Sequence, residues 1–212
     1  MQFVFVHGWG SDARMWDSLL AELALPPETP CISVNLGFIG TASDAKEAIE
    51  YLTADTICVG HSLGVLWLLK HLPRDIAGLI SIAGFDRFEP EGGNTVLKQM
   101  QDGLERNMRA QMKAFWRNAH MPLNYPPEEL NYTRLRNGLE ILQEWDAREE
   151  VQRLACPILA LASTDDKVVT ANMSRAVWPE HLIRWSSTGG HMLPLTEPQW
   201  CVRHIRSFLH DL

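Results

Sequence analysis

The chain has 212 residues, 46% of them hydrophobic and 21% charged, with a formal net charge of -7. These values suit one domain with a sizeable core, exclude a disordered chain and argue against general nucleic-acid binding. The N-terminus carries no basic segment, and no run approaches the roughly 18 apolar residues of a membrane span, so the expectation is a cytoplasmic protein with no membrane association.

Phe3 to Val6 reads as a short apolar strand, followed by His7-Gly8-Trp9-Gly10 and a helix from about Ala13 to Leu23. Pro26, Pro27 and Pro30 break the chain. Cys31 to Val34 reads as a second buried strand, and Ser43 is placed to cap a helix running through Tyr51. A third strand leads into Gly60-His61-Ser62-Leu63-Gly64, and a helix follows that stops near Pro73. Gly78 to Ile82 is the next strand. Strand and helix alternate, which predicts a mainly parallel sheet with helices on both faces.

From about Thr95 to Glu150 the periodicity is helical, with Pro122, Pro126 and Pro127 dividing the region in two. Strands resume at Pro157 to Ala162 and Leu182 to Trp185, with helices at Ala171 to Val177 and Glu197 to Leu209. The expected organisation is a single domain, residues 1–212, with a helical cap inserted at about 88–150 over the C-terminal edge of the sheet. Ligands bind at that edge in such sheets. Cys31, Cys58, Cys156 and Cys201 are far apart and lack metal-type spacing, which suits a reduced protein with no metal site.

The Gly-x-Ser-x-Gly stretch carries the chemistry. Gly60 and Gly64 let strand and helix approach closely around Ser62, and the Leu63 amide falls at a helix N-terminus. A serine hydroxyl needs a base, and the base needs an orienting partner. His61 adjoins the serine, but successive residues of the turn point in different directions. His71, His204 and His210 fall on expected surface helices, and His181 at the start of a strand. His191 lies in Ser187-Thr188-Gly189-Gly190-His191-Met192, a loop after the last strand and at the edge that carries Ser62. Asp165 and Asp166 follow the strand before it, and either could orient the imidazole. The order Ser, Asp, His is that of α/β-hydrolases. A second oxyanion donor, beside the Leu63 amide, is expected from the Trp9 amide.

Gly8-Trp9-Gly10-Ser11-Asp12-Ala13 also fits the glycine pattern of a dinucleotide-binding fold. The next strand ends at Val34-Asn35, however, without the acidic ribose ligand, and that reading leaves Ser62 and His191 unexplained.

These residues together resemble the α/β-hydrolase superfamily over nearly the whole chain. Within it, the chain is similar to the pimeloyl-[acyl-carrier protein] methyl ester esterases of biotin synthesis. The similarity lies in His7-Gly8-Trp9-Gly10, Asn137-Gly138-Leu139-Glu140-Ile141-Leu142 with Asp146, Cys156-Pro157-Ile158-Leu159, Asp166-Lys167-Val168-Val169 and Gly190-His191. The resemblance favours Asp166 over Asp165. It implies a serine esterase with Ser62, Asp166 and His191 as triad and no cofactor. It also implies that Phe115, Trp116, Arg117, Asn118 and Ala119 line an acyl channel. Two positions depart from the family: His61 stands where tryptophan is frequent, and Asn35-Leu36-Gly37-Phe38-Ile39-Gly40 replaces Asp-x-Pro-Gly-x-Gly.

On a helical projection Arg106, Arg109, Lys113 and Arg117 form one stripe, and Met108, Met112, Phe115 and Ala119 another. The apolar stripe is expected to close over the site. The basic stripe is expected to dock an acyl carrier protein, which the resemblance also implies; a solvated face with local ion pairs, helped by Asp102 and Glu105, is the alternative. The expected state is a monomer. A general short-chain carboxylesterase, a thioesterase, or a non-catalytic binding module on the same fold are the competing functions.

Overall fold

The computed structural model describes residues 1–212 apart from 74, 124 and 126–128. Six strands form the sheet: β1 (Gln2–Val6), β2 (Cys31–Val34), β3 (Thr56–His61), β4 (Gly78–Ile82), β5 (Ile158–Ser163) and β6 (Ile183–Ser186). Their order is β2-β1-β3-β4-β5-β6, and every neighbouring pair is parallel. That order differs from the 3-2-1-4-5-6 arrangement of a dinucleotide fold. Asp12, within that glycine stretch, caps a 3-10 turn through the Arg14 amide and accepts the Tyr125 hydroxyl at 2.7 Å.

The pleat divides the core in two. Val4, Val6 and Cys58 point to one face and pack with α2 (Ala45–Glu50), α3 (Leu63–His71) and α7 (Ala171–Val177). Phe3, Phe5, Ile57 and Ile80 point to the other and pack with α1 (Asp17–Leu23), α8 (Leu193–Thr196) and α9 (Pro198–His210). Strands covered on both faces must be apolar at nearly every position, and β3 is buried throughout.

Local details shift some expected boundaries. The first helix opens as a 3-10 turn, Ala13–Trp16, before continuing as α1. Asp44, not Ser43, caps α2, because its side chain accepts the Lys46 amide; the Ser43 hydroxyl instead accepts the Asn35 amide. His181 sits in a 3-10 turn, Glu180–Leu182, and β6 starts after it. Pro126 and Pro127, expected as helix breakers, lie outside the described residues.

Among the described residues, three helices lie between β4 and β5: α4 (Asn94–Asn118), α5 (Tyr132–Glu144) and α6 (Arg148–Arg153). The insertion closes on itself at a narrow neck. Arg87 and Asp146 form an antiparallel bridge there, and the Ala147 amide donates to the Asp86 carbonyl at 2.8 Å. α4 and α5 lie beyond the neck. α6 lies before β5 and packs on α3, with Lys70 and Glu150 paired across the contact.

α4 is not one continuous helix. Asn107 has φ -161° and ψ 92°, and its side chain accepts the Ala110 amide, so it caps a second helical segment. The expected basic stripe therefore does not run unbroken. Arg106 belongs to the first segment, where its guanidinium donates to the Asp102 carbonyl, while Arg109, Lys113 and Arg117 belong to the second.

The closest backbone approach is at Gly64, where an added Cβ would lie 2.0 Å from the Val6 carbonyl oxygen. Gly64→Ala is expected to lower the unfolding free energy by about 3 kcal/mol, measured by urea denaturation. An unchanged midpoint would mean that β1 and α3 can separate without cost.

Candidate active site

Ser62 lies between β3 and α3 at φ 53° and ψ -124°. A non-glycine residue there is strained, and the surrounding chain holds it: the Ser62 amide donates to the Ile82 carbonyl, and the Val65 amide to the Ser62 carbonyl. The turn leaves the hydroxyl free of the strand ladder and makes Leu63 the first helical residue, whose amide has no partner within the helix.

The loop after β1 runs directly against this turn. A Cβ on Gly8 would lie 2.9 Å from the Ser62 Cβ. Buried His7 anchors the loop: its Nε2 accepts the Leu36 amide at 2.9 Å, which leaves Nδ1–H to meet the Gly8 carbonyl. Burial lowers the His7 pKa, so the ring holds this neutral tautomer. The Ser11 hydroxyl donates to the same carbonyl. Trp9 follows and lines the cavity that contains Ser62.

His191 enters after β6 in a 3-10 turn, Gly190–Met192, preceded by Gly189 at φ 104°. Its Nε2 lies 3.0 Å from Ser62 Oγ, and its Nδ1 lies 2.8 Å from Asp166 Oδ2. All three residues are buried. Asp166 Oδ1 accepts the Val168 and Val169 amides at 2.7 and 2.9 Å. Burial opposes ionisation of Asp166, but the charge and hydrogen bond of His191 and these two amides outweigh it, and its pKa falls below the ordinary value.

Asp165 points elsewhere. Its Oδ1 accepts the Gly190 amide at 2.8 Å and the Ser163 hydroxyl, which ties the Asp165 turn to the histidine loop. The adjacent aspartates thus grip that loop at two places, one through the backbone and one through the imidazole.

A cavity of about 320 Å3 opens beside Ser62. Its apolar walls include Phe88, Val96, Leu97, Met100, Phe115 and Leu142, and Asn118, Lys167 and Thr170 add polar groups. Of the five residues expected to line an acyl channel, Phe115 and Asn118 border this cavity. The other three are placed differently. Trp116 turns its Nε1–H to the Gly10 carbonyl at 2.7 Å, Ala119 is buried in the core, and Arg117 lines a separate cleft with Lys113 and Met121. Helical geometry accounts for this, since five consecutive residues span more than one turn and cannot share a face. Arg109, Lys113 and Arg117 are exposed, with no carboxylate partner among the described residues.

A model described as the alpha/beta hydrolase family matches residues 3–204. The chain belongs to that family. It is similar to the biotin biosynthesis bifunctional protein BioHC of Teredinibacter turnerae, 25% identical over 98% of this chain and 44% of that protein. The chain thus spans about half the length of this relative and of its Cellvibrio japonicus counterpart, at 44% and 47%. It is also similar to the pimeloyl-[acyl-carrier protein] methyl ester esterase of Photorhabdus laumondii, 23% identical over 97% of this chain and 90% of that protein. Among solved structures, the esterase EaEST of Exiguobacterium antarcticum superposes with a TM-score of 0.81 at 16% identity, covering 99% and 92% of the two chains.

Three features of the candidate site carry little signal in the sequence. Val96, Leu97 and Met100 line the cavity from the first segment of α4, where apolar residues at positions i, i+1 and i+4 were the available signal. Asp165 was legible only as an alternative to Asp166. His61 was set aside, yet its Nε2 meets the His191 carbonyl at 2.8 Å.

The Asp166 carboxylate has a stability signature. Its lowered pKa contributes stability that is fully present above the ordinary value of about 3.9 and is lost as pH falls through the lower folded-state value. Urea unfolding below about pH 4 should therefore weaken more steeply with acid in the native protein than in Asp166→Asn. Parallel curves would mean that this carboxylate is not held ionised by its partners.

Proposed function

We propose that the protein is a serine carboxylic-ester hydrolase that cleaves the methyl ester of an acyl chain borne on an acyl carrier protein, in the biotin pathway. The observation that carries the reading is the buried chain Asp166, His191, Ser62, each link within hydrogen-bond reach, at the wall of an apolar cavity. The names of the relatives support the substrate. In this reading α4 and α5 form a cap on a single catalytic domain.

The geometry suggests the following course. Ser62 Oγ attacks the ester carbonyl carbon and gives its proton to His191 Nε2. Asp166 holds Nδ1–H and stabilises the imidazolium. The carbonyl oxygen becomes an oxyanion facing the Leu63 and Trp9 amides, each such donor typically worth about 3 kcal/mol. The tetrahedral intermediate collapses, the C–O bond to the alcohol breaks, and His191 returns the proton to the leaving methoxide as methanol. Water then loses a proton to His191 and attacks the acyl-enzyme; the second tetrahedral intermediate collapses, the bond to Ser62 Oγ breaks, and His191 returns the proton to Ser62 as the free carboxylic acid leaves. The steps call on no metal or organic cofactor. A non-catalytic module would have no use for a strained serine aligned with a buried imidazole–carboxylate pair.

Arg109, Lys113 and Arg117 would meet the acidic carrier. On a chain of net charge -7 they form a local cationic face on the second segment of α4, without carboxylate partners among the described residues.

The purified protein should cleave p-nitrophenyl butyrate and release methanol from methyl pimeloyl-acyl carrier protein, and Ser62→Ala should lower both rates by about 10⁴-fold. Methanol release that fails while the small ester is cleaved would return the assignment to a general carboxylesterase or thioesterase. Near wild-type turnover by Ser62→Ala would remove the nucleophile.

Charge reversal at Arg109 and Arg117 together should raise KM for the carrier-bound ester by about tenfold, with the small ester unaffected. Equal effects on both substrates would eliminate carrier docking at this face.

A further inference from the structure

His61 is the buried histidine beside the nucleophile that the proposed mechanism leaves unused. It is 1% exposed, and its ring centroid lies 4.8 Å from that of His191. Its Nε2 lies 2.8 Å from the His191 carbonyl oxygen. A carbonyl only accepts, so Nε2 carries the ring proton and the neutral ring leaves Nδ1 as a bare acceptor. Nδ1 is buried and has no hydrogen-bond partner among the described residues. Gly8 crosses beside it, and a Cβ there would lie 2.7 Å from Nδ1. Burial, reinforced by the neighbouring His191 charge, holds the His61 pKa down to about 3. The ring is therefore neutral near neutral pH, and the carbonyl acceptor at Nε2 selects the Nε2–H tautomer.

An unpaired buried nitrogen is costly, and an apolar side chain of similar size would avoid it. What the imidazole supplies in return is the Nε2–H. The His191 loop needs such a fixture, because Gly189 and Gly190 both lie at positive φ, 104° and 58°, just ahead of a single 3-10 turn. His61 is bonded through the chain to Ser62. Its hydrogen bond to the His191 main chain, together with the His191 Nε2 to Ser62 Oγ contact at 3.0 Å, closes a small circuit. Within that circuit neither base nor nucleophile can drift alone.

We propose that His61 is a positioning residue that fixes the reach of His191 to Ser62 by donating Nε2–H to the His191 carbonyl. The inference rests on the reading of Ser62 and His191 as nucleophile and base.

The test uses p-nitrophenyl butyrate and the variants His61→Leu and His61→Gln, with Ser62→Ala and His191→Ala as references. A Gln amide can place its N–H near the position of Nε2; Leu cannot donate. His61→Leu should lower kcat on the order of 100-fold, the scale expected for misplacing a reacting group by about 1 Å, with KM within about twofold of native. His61→Gln should regain most of that loss. If Ser62→Ala and His191→Ala still turn over, the reading of the site itself fails. If both are inactive while His61→Leu matches the native enzyme, or His61→Gln is as slow as His61→Leu, the positioning role alone is overturned. Nitrogen NMR of the native protein gives a readout that needs no variant to fold. His61 should remain a neutral Nε2–H tautomer from about pH 8 to about pH 5; an Nδ1–H tautomer or a protonated ring in that range also overturns it.

Discussion

Ser62 stands at φ 53° because β3 must pass into α3 without an intervening loop, and the rest of the site is arranged around that one turn. The turn can exist only where strand and helix nearly touch. Gly64 meets the carbonyls of Val6 and His7, so the start of α3 rests on the end of β1. That contact fixes the loop after β1 as firmly as the serine, since Gly8 then has nowhere to go but against the Ser62 Cβ. Strained backbone, neighbouring strand and proposed oxyanion loop are thus one constraint seen from three sides.

The inserted helices extend this constraint rather than merely covering it. The Trp9 Nε1–H donates to the Leu135 carbonyl in α5 at 2.8 Å, and the Trp116 Nε1–H from α4 donates to the Gly10 carbonyl at 2.7 Å. Phe115 sets its ring edge-on to Trp9 with centroids 4.7 Å apart. α5 comes this close because Gly138 has no Cβ; one would stand 2.5 Å from the Trp9 ring. Residues 9 and 10 are therefore held from below by the sheet and from above by both inserted helices. Displacing either helix would disturb the Trp9 amide as well as the cavity wall.

The strands and the order of Ser62, Asp166 and His191 along the chain were legible because buried parallel strands are short apolar runs and because turns demand glycine at fixed places. The bounds of β2 and α7 match the sequence reading residue for residue, but β2, expected to be buried, is an edge strand with Cys31 exposed and only Val34 buried. What could not be read follows from longer-range contacts. Asp165 and Asp166 have the same chemistry and adjoin in sequence; only the packing of the Gly190 turn decides that one takes an amide and the other the imidazole. The break at Asn107 has no proline to announce it, and Gly103, one turn earlier, is only a weak signal; the basic stripe from Arg106 to Arg117 is interrupted there. Successive turn residues diverge, so the sequence gives His61 no role beside Ser62. It does diverge from Ser62, and for that reason its ring reaches the main chain of His191.

The Asn107 break also divides the work of α4. Its first segment gives Val96, Leu97 and Met100 to the cavity wall. Its second segment gives Phe115 to that wall, Trp116 to the Gly10 carbonyl, and three exposed cations to the outer surface. A straight helix of this length would keep one apolar face throughout. The interruption lets the second segment reorient, so that a single element lines the pocket, grips the loop beside the serine and presents a charged exterior. In the proposed esterase those are the acyl chain, the oxyanion and the carrier protein.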